Sequence, residues 1–327
     1  MLMAVASQSL HLELVDTIAV EPFSEAHCSP TLETLYVYSY DPQQVIPPAG
    51  GPQAKLIAYR RTGRPEVLET LDRQDYLCGT SVEGLPVVKR LNPLRIIGQT
   101  ELAKSAFDPY HGVLRVLEGV IIGYRQDAYY ATWEVQGERT SGQFSGFRQF
   151  LTQDIRRQNL MGAFALSPSR KTLAYEMLHI KESPTDRTWR AVSFGNLAAG
   201  AMFEPKRIEF SGPKDKTPEQ IAEHIWDFQL LSDTTAVALL SASAFDDPKQ
   251  KKELPDGFLG NDTLEPEDRE FFVCRIDLHS GHIEVSDRLA FKAVSPLGNP
   301  KRLYVFDSRG TFALLTSPTE LKLFRFR

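Results

Sequence analysis

Asp277, His279 and His282 stand close enough in the chain to converge on one metal ion. A metal site needs three or four ligands that meet in space, and no second cluster of ligand residues accompanies these. The same stretch also reads as a hairpin turn in which Asp277 and Ser280-Gly281 make the bend. Glu223, His224 and Asp227 could serve as an acid–base group. Their alternative is an exposed short helix beside a strand. Cys28 follows His27, a nucleophile next to a base, but adjacent residues on a strand point to opposite faces. Gly142-Gln143-Phe144-Ser145-Gly146 lacks the spacing of the G-x-S-x-G nucleophile elbow. Walker A and G-x-G-x-x-G phrases do not occur. The chain therefore leads us to expect no catalytic set, no cofactor and no metal.

Binding chemistry is more visible. Arg139, Arg148, Arg156 and Arg157, with Arg170 and Lys171 beyond them, form a modest basic stretch. It could contact phosphate or an acidic partner, or be a solvated helix face. From Asp246 to Glu270 there are nine acids and four bases, which accounts for the whole net charge of −5. Three prolines and the apolar pair Phe258-Leu259 are embedded there. That composition fits a loop inserted between strands, and Phe258 and Leu259 could anchor a partner on it.

The bulk composition limits the classes. Of 327 residues, 42% are hydrophobic and 24% charged, which is ordinary for a globular chain. The negative net charge does not favour binding to nucleic acid through a general basic surface. Cys28, Cys78 and Cys274 are odd in number and form no C-x-x-C pair, so a disulfide framework is not expected. A reducing compartment follows, the cytoplasm first and the nucleus as the alternative. The apolar start Met1-Leu2-Met3-Ala4-Val5-Ala6 lacks the basic region of a signal peptide. No apolar run approaches the length of a membrane-spanning helix.

The elements that must position these residues are mostly short strands. Leu10 to Val20 begins with the alternation of a half-buried strand. Leu32–Tyr40 and Ala54–Arg60 follow, separated by a loop rich in proline and glycine. Val113 to Val135 reads as two strands broken near Gly123 to Asp127. From Gly162 onward strands crowd together, among them Thr172–Ile180, Phe228–Leu231, Ala236–Ala242, Phe271–Leu278 and Glu320–Arg327. Two helices are expected. One runs from Gly146 to Arg157, capped by Ser145, with Phe147, Phe150, Leu151 and Ile155 on one face. The other starts at Thr217-Pro218-Glu219-Gln220, a capping box, and ends near Trp226. Crossover helices for a parallel sheet are missing, so the fold class is all-β and antiparallel.

A phrase recurs along the chain. Ser29-Pro30-Thr31-Leu32-Glu33-Thr34-Leu35-Tyr36 returns as Ser167-Pro168-Ser169-Arg170-Lys171-Thr172-Leu173-Ala174-Tyr175. Weaker echoes begin at Leu231 and Asp307. Each is a polar turn followed by an apolar strand, and a returning unit of that kind points to a repeat fold. Phe164 to Tyr175 is similar to the F-S-P-D-G-K-x-L-A-Y phrase of propellers in the Tol system and in prolyl-oligopeptidase-type proteins. Phe271 to Ile283 resembles the strand–turn phrase of WD-repeat blades. The usual Asp-Gly is replaced by Thr31-Leu32 in the first phrase and by Ser169-Arg170 in the second, and no regular Gly-His…Trp-Asp spacing is present. The resemblance implies a β-propeller-like repeat of undetermined blade number, with a β-sandwich as the alternative. It carries no catalytic residue over.

The expected organisation is one propeller-like domain over residues 1–327, closed by pairing of the N- and C-terminal strands, with 246–270 as a loop insertion. The expected function is a non-enzymatic scaffold for protein–protein interaction, a subunit of a larger assembly. Candidate binding residues are Phe258, Leu259, Arg148, Arg156 and Arg157. The competing readings are a propeller enzyme of hydrolase or lactonase type with a site in the central funnel, and a nucleic-acid-associated propeller using the Arg139–Lys171 stretch.

Overall fold

The computed structural model describes residues 10–23, 25–39, 54–71, 75–90, 94–98, 115–126, 130–140, 143–154, 160–178, 188–197, 206–211, 221–244, 270–286, 289, 303–317 and 319–327. These residues contain strands and turns and no helix. Among them the strands form five sheets.

The first sheet is an antiparallel meander of β2 (Glu25–Ser29), β3 (Thr34–Ser39), β4 (Ala54–Arg60) and β5 (Glu66–Leu71). β3 and β4 are buried on both faces, whereas β5 is largely exposed. Continuous burial of the middle strands means that something covers each face of the sheet. Two further four-stranded meanders follow the same plan. One is β13 (Leu160–Leu166), β14 (Thr172–Leu178), β15 (Thr188–Asn196) and β16 (Lys206–Ser211). The other is β17 (Ile221–Leu230), β18 (Thr235–Ala244), β19 (Glu270–Asp277) and β20 (Ile283–Val285).

The fourth sheet joins the two ends of the chain. β21 (Leu303–Val305), β22 (Phe312–Ser317) and β23 (Glu320–Phe326) are continued by β1 (Leu12–Ala19) at the outer edge. β1 pairs antiparallel with β23 from Leu12↔Phe326 to Ala19↔Glu320. The fifth sheet has seven strands, in the order β12 (Gln143–Asp154), β11 (Tyr130–Thr140), β10 (Val120–Gln126), β9 (Arg115–Leu117), β6 (Asp75–Thr80), β7 (Pro86–Arg90), β8 (Leu94–Ile96). It is two antiparallel meanders held together by one parallel bridge, Gly79↔Val116.

The sheets are arranged as a propeller. β2 lies against β6, β6 against β9, β13 against β17, β17 against β21, and β21 against β2, so the first strands of the meanders stand side by side around an axis. Hydrophobic layers fill the spaces between neighbouring sheets. Ile18, Val20, Tyr304 and Leu323 of the terminal sheet pack with Leu35 and Ile57 of the first. Val237 and Val273 pack with Leu303 and Phe312. Ala165 and Ala174 pack with Phe228 and Ile276. Leu56 and Tyr36 pack with Leu77 and Val88. Sheets stacked face to face, each burying both sides of its middle strands, make the repeat fold, and the all-β expectation holds.

Both expected helices are strands. The span Gly146–Arg157 falls on β12 up to Asp154, which pairs with β11 in the register Trp133↔Leu151 and Gln136↔Arg148. Ser145 lies within that strand and caps nothing. Of the span from Thr217 to Trp226, residues 217–220 lie outside the described residues, and the rest falls on β17, paired with β18 from Ile221↔Ala244 onward. A good N-cap stabilises a helix by about 1 kcal/mol. Nine ladder positions against β18 outweigh that, so the local signal loses to the long-range one. The expected break between Gly123 and Asp127 falls at the late end of that range: β10 runs from Val120 to Gln126, pairing Gly123 with Glu134, and β11 opens at Tyr130. A further turn, not expected, stands earlier at Glu118-Gly119, where both residues have positive φ (44° and 77°).

Candidate functional site on the turn face

The recurrent phrase has one structural meaning. In every meander the first strand ends in a turn that leads into the second, and these turns share one face. The residue that opens the turn accepts backbone N–H groups from inside it. Ser29 Oγ accepts from Leu32 at 3.2 Å, and Ser81 Oγ from Leu85 at 3.2 Å. Ser167 Oγ accepts from Thr172 at 3.1 Å, and Asp307 Oδ1 from Arg309 and Thr311 at 2.8 and 3.0 Å. A short oxygen-bearing side chain is needed at that position, which is why Ser and Asp recur there. The turn also needs a left-handed residue. Gly84 (φ 80°) and Gly310 (φ 86°) supply it at no steric cost, whereas Glu33 (φ 45°) and Arg170 (φ 62°) supply it against the usual preference. Two left-handed turn positions thus carry a charged side chain here.

Polar side chains join one turn to the next. Asp233 Oδ1 accepts hydroxyl hydrogen bonds from Ser167, Ser169 and Thr172 at 2.7, 2.5 and 3.2 Å. Arg309 pairs with Glu33 at 2.8 Å, linking the last turn to the first. Thr31 Oγ1 donates to Glu118 Oε2 at 3.0 Å. Three side-chain links thus tie polar turns of this face to their neighbours.

Beneath the ring lies an axial cavity of about 50 Å³, lined by His27, Cys28, Thr80, Glu118, Gln229 and Tyr304, among others. Glu118 is buried at its edge. Burial raises its carboxyl to about 7, while hydrogen bonds from Thr31, Ser29 and Thr80 and the charge of Arg170 act in the opposite direction. His27 Nε2 lies 3.1 Å from Glu25 Oε1, and Cys28 packs against the first hydrophobic layer. Sequence reasoning missed Glu118. Its signal was an acid next to a glycine between two apolar strands.

This carboxyl makes stability pH-dependent with a definite sign. Its folded value lies above the ordinary 4.5, so the fold favours the protonated form. The contribution is fully present below the unfolded value and is lost as pH rises through the folded one. Glu118→Gln keeps the size and removes the charge. Its melting advantage over wild type is expected to grow by about 2–3 kcal/mol between about pH 5 and pH 8. Parallel pH–stability profiles of the two proteins would contradict this.

The other sequence candidates separate. Asp277 Oδ1 accepts the N–H groups of His279 and Ser280 and the Ser280 hydroxyl, at 3.0, 2.7 and 2.8 Å, which is the bend of a hairpin. No group of three metal-ligating side chains occurs among the described residues. Asp227 is buried, and its Oδ2 accepts the Leu303 N–H at 3.0 Å, fastening β17 to β21. Glu223 and His224 stand on β17 and Arg148 on β12. Arg156, Arg157, Phe258, Leu259 and the acidic segment up to Arg269 lie outside the described residues; Glu270 opens β19.

No family model matches the chain, and no curated relative matches it. Solved structures do. The structure described as the Dos1 propeller is similar over 96% of this chain and 95% of its own, at 8% identity and a TM-score of 0.40. The WD40 domain of Toxoplasma gondii coronin is similar over 98% and 86%, at 10% identity and 0.40. A streptogramin B lyase structure is similar over 98% of both chains, at 10% identity and 0.37. The propeller assignment stands on the sheet order and the interleaved hydrophobic layers. No helix among the described residues is long and apolar enough to cross a membrane.

Proposed function

We propose that this chain is a non-enzymatic propeller scaffold that binds other proteins through its turn face, as a subunit of a larger assembly. One observation carries the reading. The axial cavity measures about 50 Å³, whereas small-molecule sites run to roughly 300–1,000 Å³. Among the described residues that opening is small for a substrate of ordinary size, and the funnel is where the competing enzyme reading needs one. The turn face, in contrast, is broad, polar and held in shape by its own cross-links, as a preorganised docking surface should be. Cys28, Cys78 and Cys274 form no disulfide, which supports a reducing compartment such as the cytoplasm.

Affinity purification of the tagged chain from its native cells, with chemical cross-linking and mass spectrometry, tests this. A stoichiometric protein partner cross-linked at Lys171, on the turn between β13 and β14, is the expected result. Purification of the chain alone, together with turnover of a small molecule, would refute the proposal.

A further inference from the structure

The turn face carries a second opening, between the β17–β20 sheet and the sheet of β21–β23. It is a cleft of about 850 Å³, within the range of ligand sites. Arg275, Asp277 and Glu284 line it from one side, and Arg309, Arg325 and Phe326 from the other. Three guanidiniums and two carboxylates therefore line the cleft.

The carboxylates are already engaged. Asp277 is used by its own turn, as described above. Glu284 is ion-paired with Arg275, whose guanidinium also sits 5.5 Å from the centre of the Phe326 ring. Arg309 turns toward Glu33 at 2.8 Å and Asp307 at 3.3 Å. Arg325 is different. Its Nη2 donates to the Thr311 hydroxyl at 3.0 Å, and its buried Nε has no hydrogen-bond partner among the described residues. Glu13, opposite Arg325 in the β1–β23 register, is taken by Arg327 at 3.2 Å. Among the described residues, no carboxylate lies within ion-pair distance of Arg325.

We propose that this cleft receives the carboxylate of an acidic side chain, carried on an extended segment of a partner protein, with Arg325 as its counter-charge. The proposal rests on the scaffold reading and adds the chemistry of the partner. Glu13 acts on Arg325 only at longer range, so among the described residues one guanidinium is left without an ion-paired carboxylate, and it matches one negative charge. A carboxylate supplies that, whereas a phosphomonoester carries nearly two. Thr311 holds the guanidinium in place before the ligand arrives, which favours Arg as the carboxylate receptor. Phe326, steadied by Phe312 at a centroid distance of 5.0 Å, and the neighbouring Leu231 give an apolar floor for the residue beside the acid.

The test uses the full chain and three fluorescent decapeptides. One alternates Asp or Glu with Leu or Phe, one replaces each acid by its amide, and one replaces each acid by phosphoserine. Fluorescence anisotropy should show the acidic peptide bound at least about tenfold more tightly than the amide peptide, weakening as salt is raised. Arg325→Gln should remove about that tenfold. Ser308→Trp, on the exposed rim, should block the cleft without touching the arginine, and its unchanged melting temperature guards against misfolding. Equal binding of the amide peptide, or full binding by both variants, overturns the proposal. Tenfold tighter binding of the phosphoserine peptide also overturns it, in favour of a phosphate. If wild type and Ser308→Trp keep the same cross-linked partners while the acidic peptide fails to bind, the cleft assignment falls and the scaffold reading stands. If no protein partner is found at all, the scaffold reading itself falls.

Discussion

Gly79→Ala is expected to destabilise the protein by about 4 kcal/mol or more, among the largest effects a single methyl group can have. Gly79 lies where β6 meets β9 by the single parallel bridge that joins two meanders. A Cβ built there would stand 1.6 Å from the carbonyl oxygen of Val116 and 2.5 Å from its carbonyl carbon. Both are backbone atoms of a buried strand, so neither can rotate away. The φ of +149° adds conformational strain for any side chain. β6 also bulges at this point, where its register against β7 shifts between Leu77 and Gly79. The bulge presses the backbone of Gly79 toward β9, and only a residue without a side chain permits the contact. Gly63→Ala provides the contrast. Its φ is +107° and nothing lies within 4 Å of the added atom, so only the conformational cost of about 1 kcal/mol remains. Urea unfolding of both variants measures the difference. Equal midpoints would mean that the approach of β6 to β9 is not as close as described.

Deleting residues 1–20 is expected to cost more still and to leave a chain that does not fold as a monomer. The deletion removes β1, whose Ile18 is buried, together with the buried Leu10 and Val20. Burial of three such side chains contributes roughly 5 kcal/mol. That is comparable to the whole stability of many domains, about 5–15 kcal/mol. The deletion also strips the ladder from β23 and removes the Val20 N–H bond to the Thr319 carbonyl (3.0 Å). β23 carries Leu321 and Leu323, both fully buried, and would become an apolar edge strand. Such an edge pairs with other copies. Size-exclusion chromatography should show aggregates, and thermal melting should lose its cooperative transition. A truncated monomer that melts at the wild-type temperature would show that β1 is an accessory strand.

Much of the strand pattern was legible because it is local. Ala54–Arg60 and Phe271–Leu278 are dense in apolar residues and bounded by breakers, and both are strands within a residue of those limits. Ser29, Ser167 and Asp307, which open three of the turns, were legible for the same reason, since their bonds to the turn backbone span a few residues. The two false helices mark the boundary of that logic. Phe147, Phe150 and Leu151 have a helical spacing, but a strand of twelve residues paired along β11 satisfies more backbone groups than an amphipathic turn would.

By itself the sequence determined an all-β repeat whose units begin at polar turns, because strand period and turn chemistry are written in neighbouring residues. Only the tertiary structure decided which turns touch, and with them every candidate site. Asp233 meets Ser167 across 66 positions of chain, Thr31 meets Glu118 across 87, and Arg309 meets Glu33 across 276. The elevated carboxyl of Glu118 is set by burial among residues that include Ser29, Thr31 and Arg170 of neighbouring blades, and the surroundings of Arg325 by β22 and by β1, which the joining of the chain ends brings beside it. No local pattern encodes an environment that the closing of the ring creates.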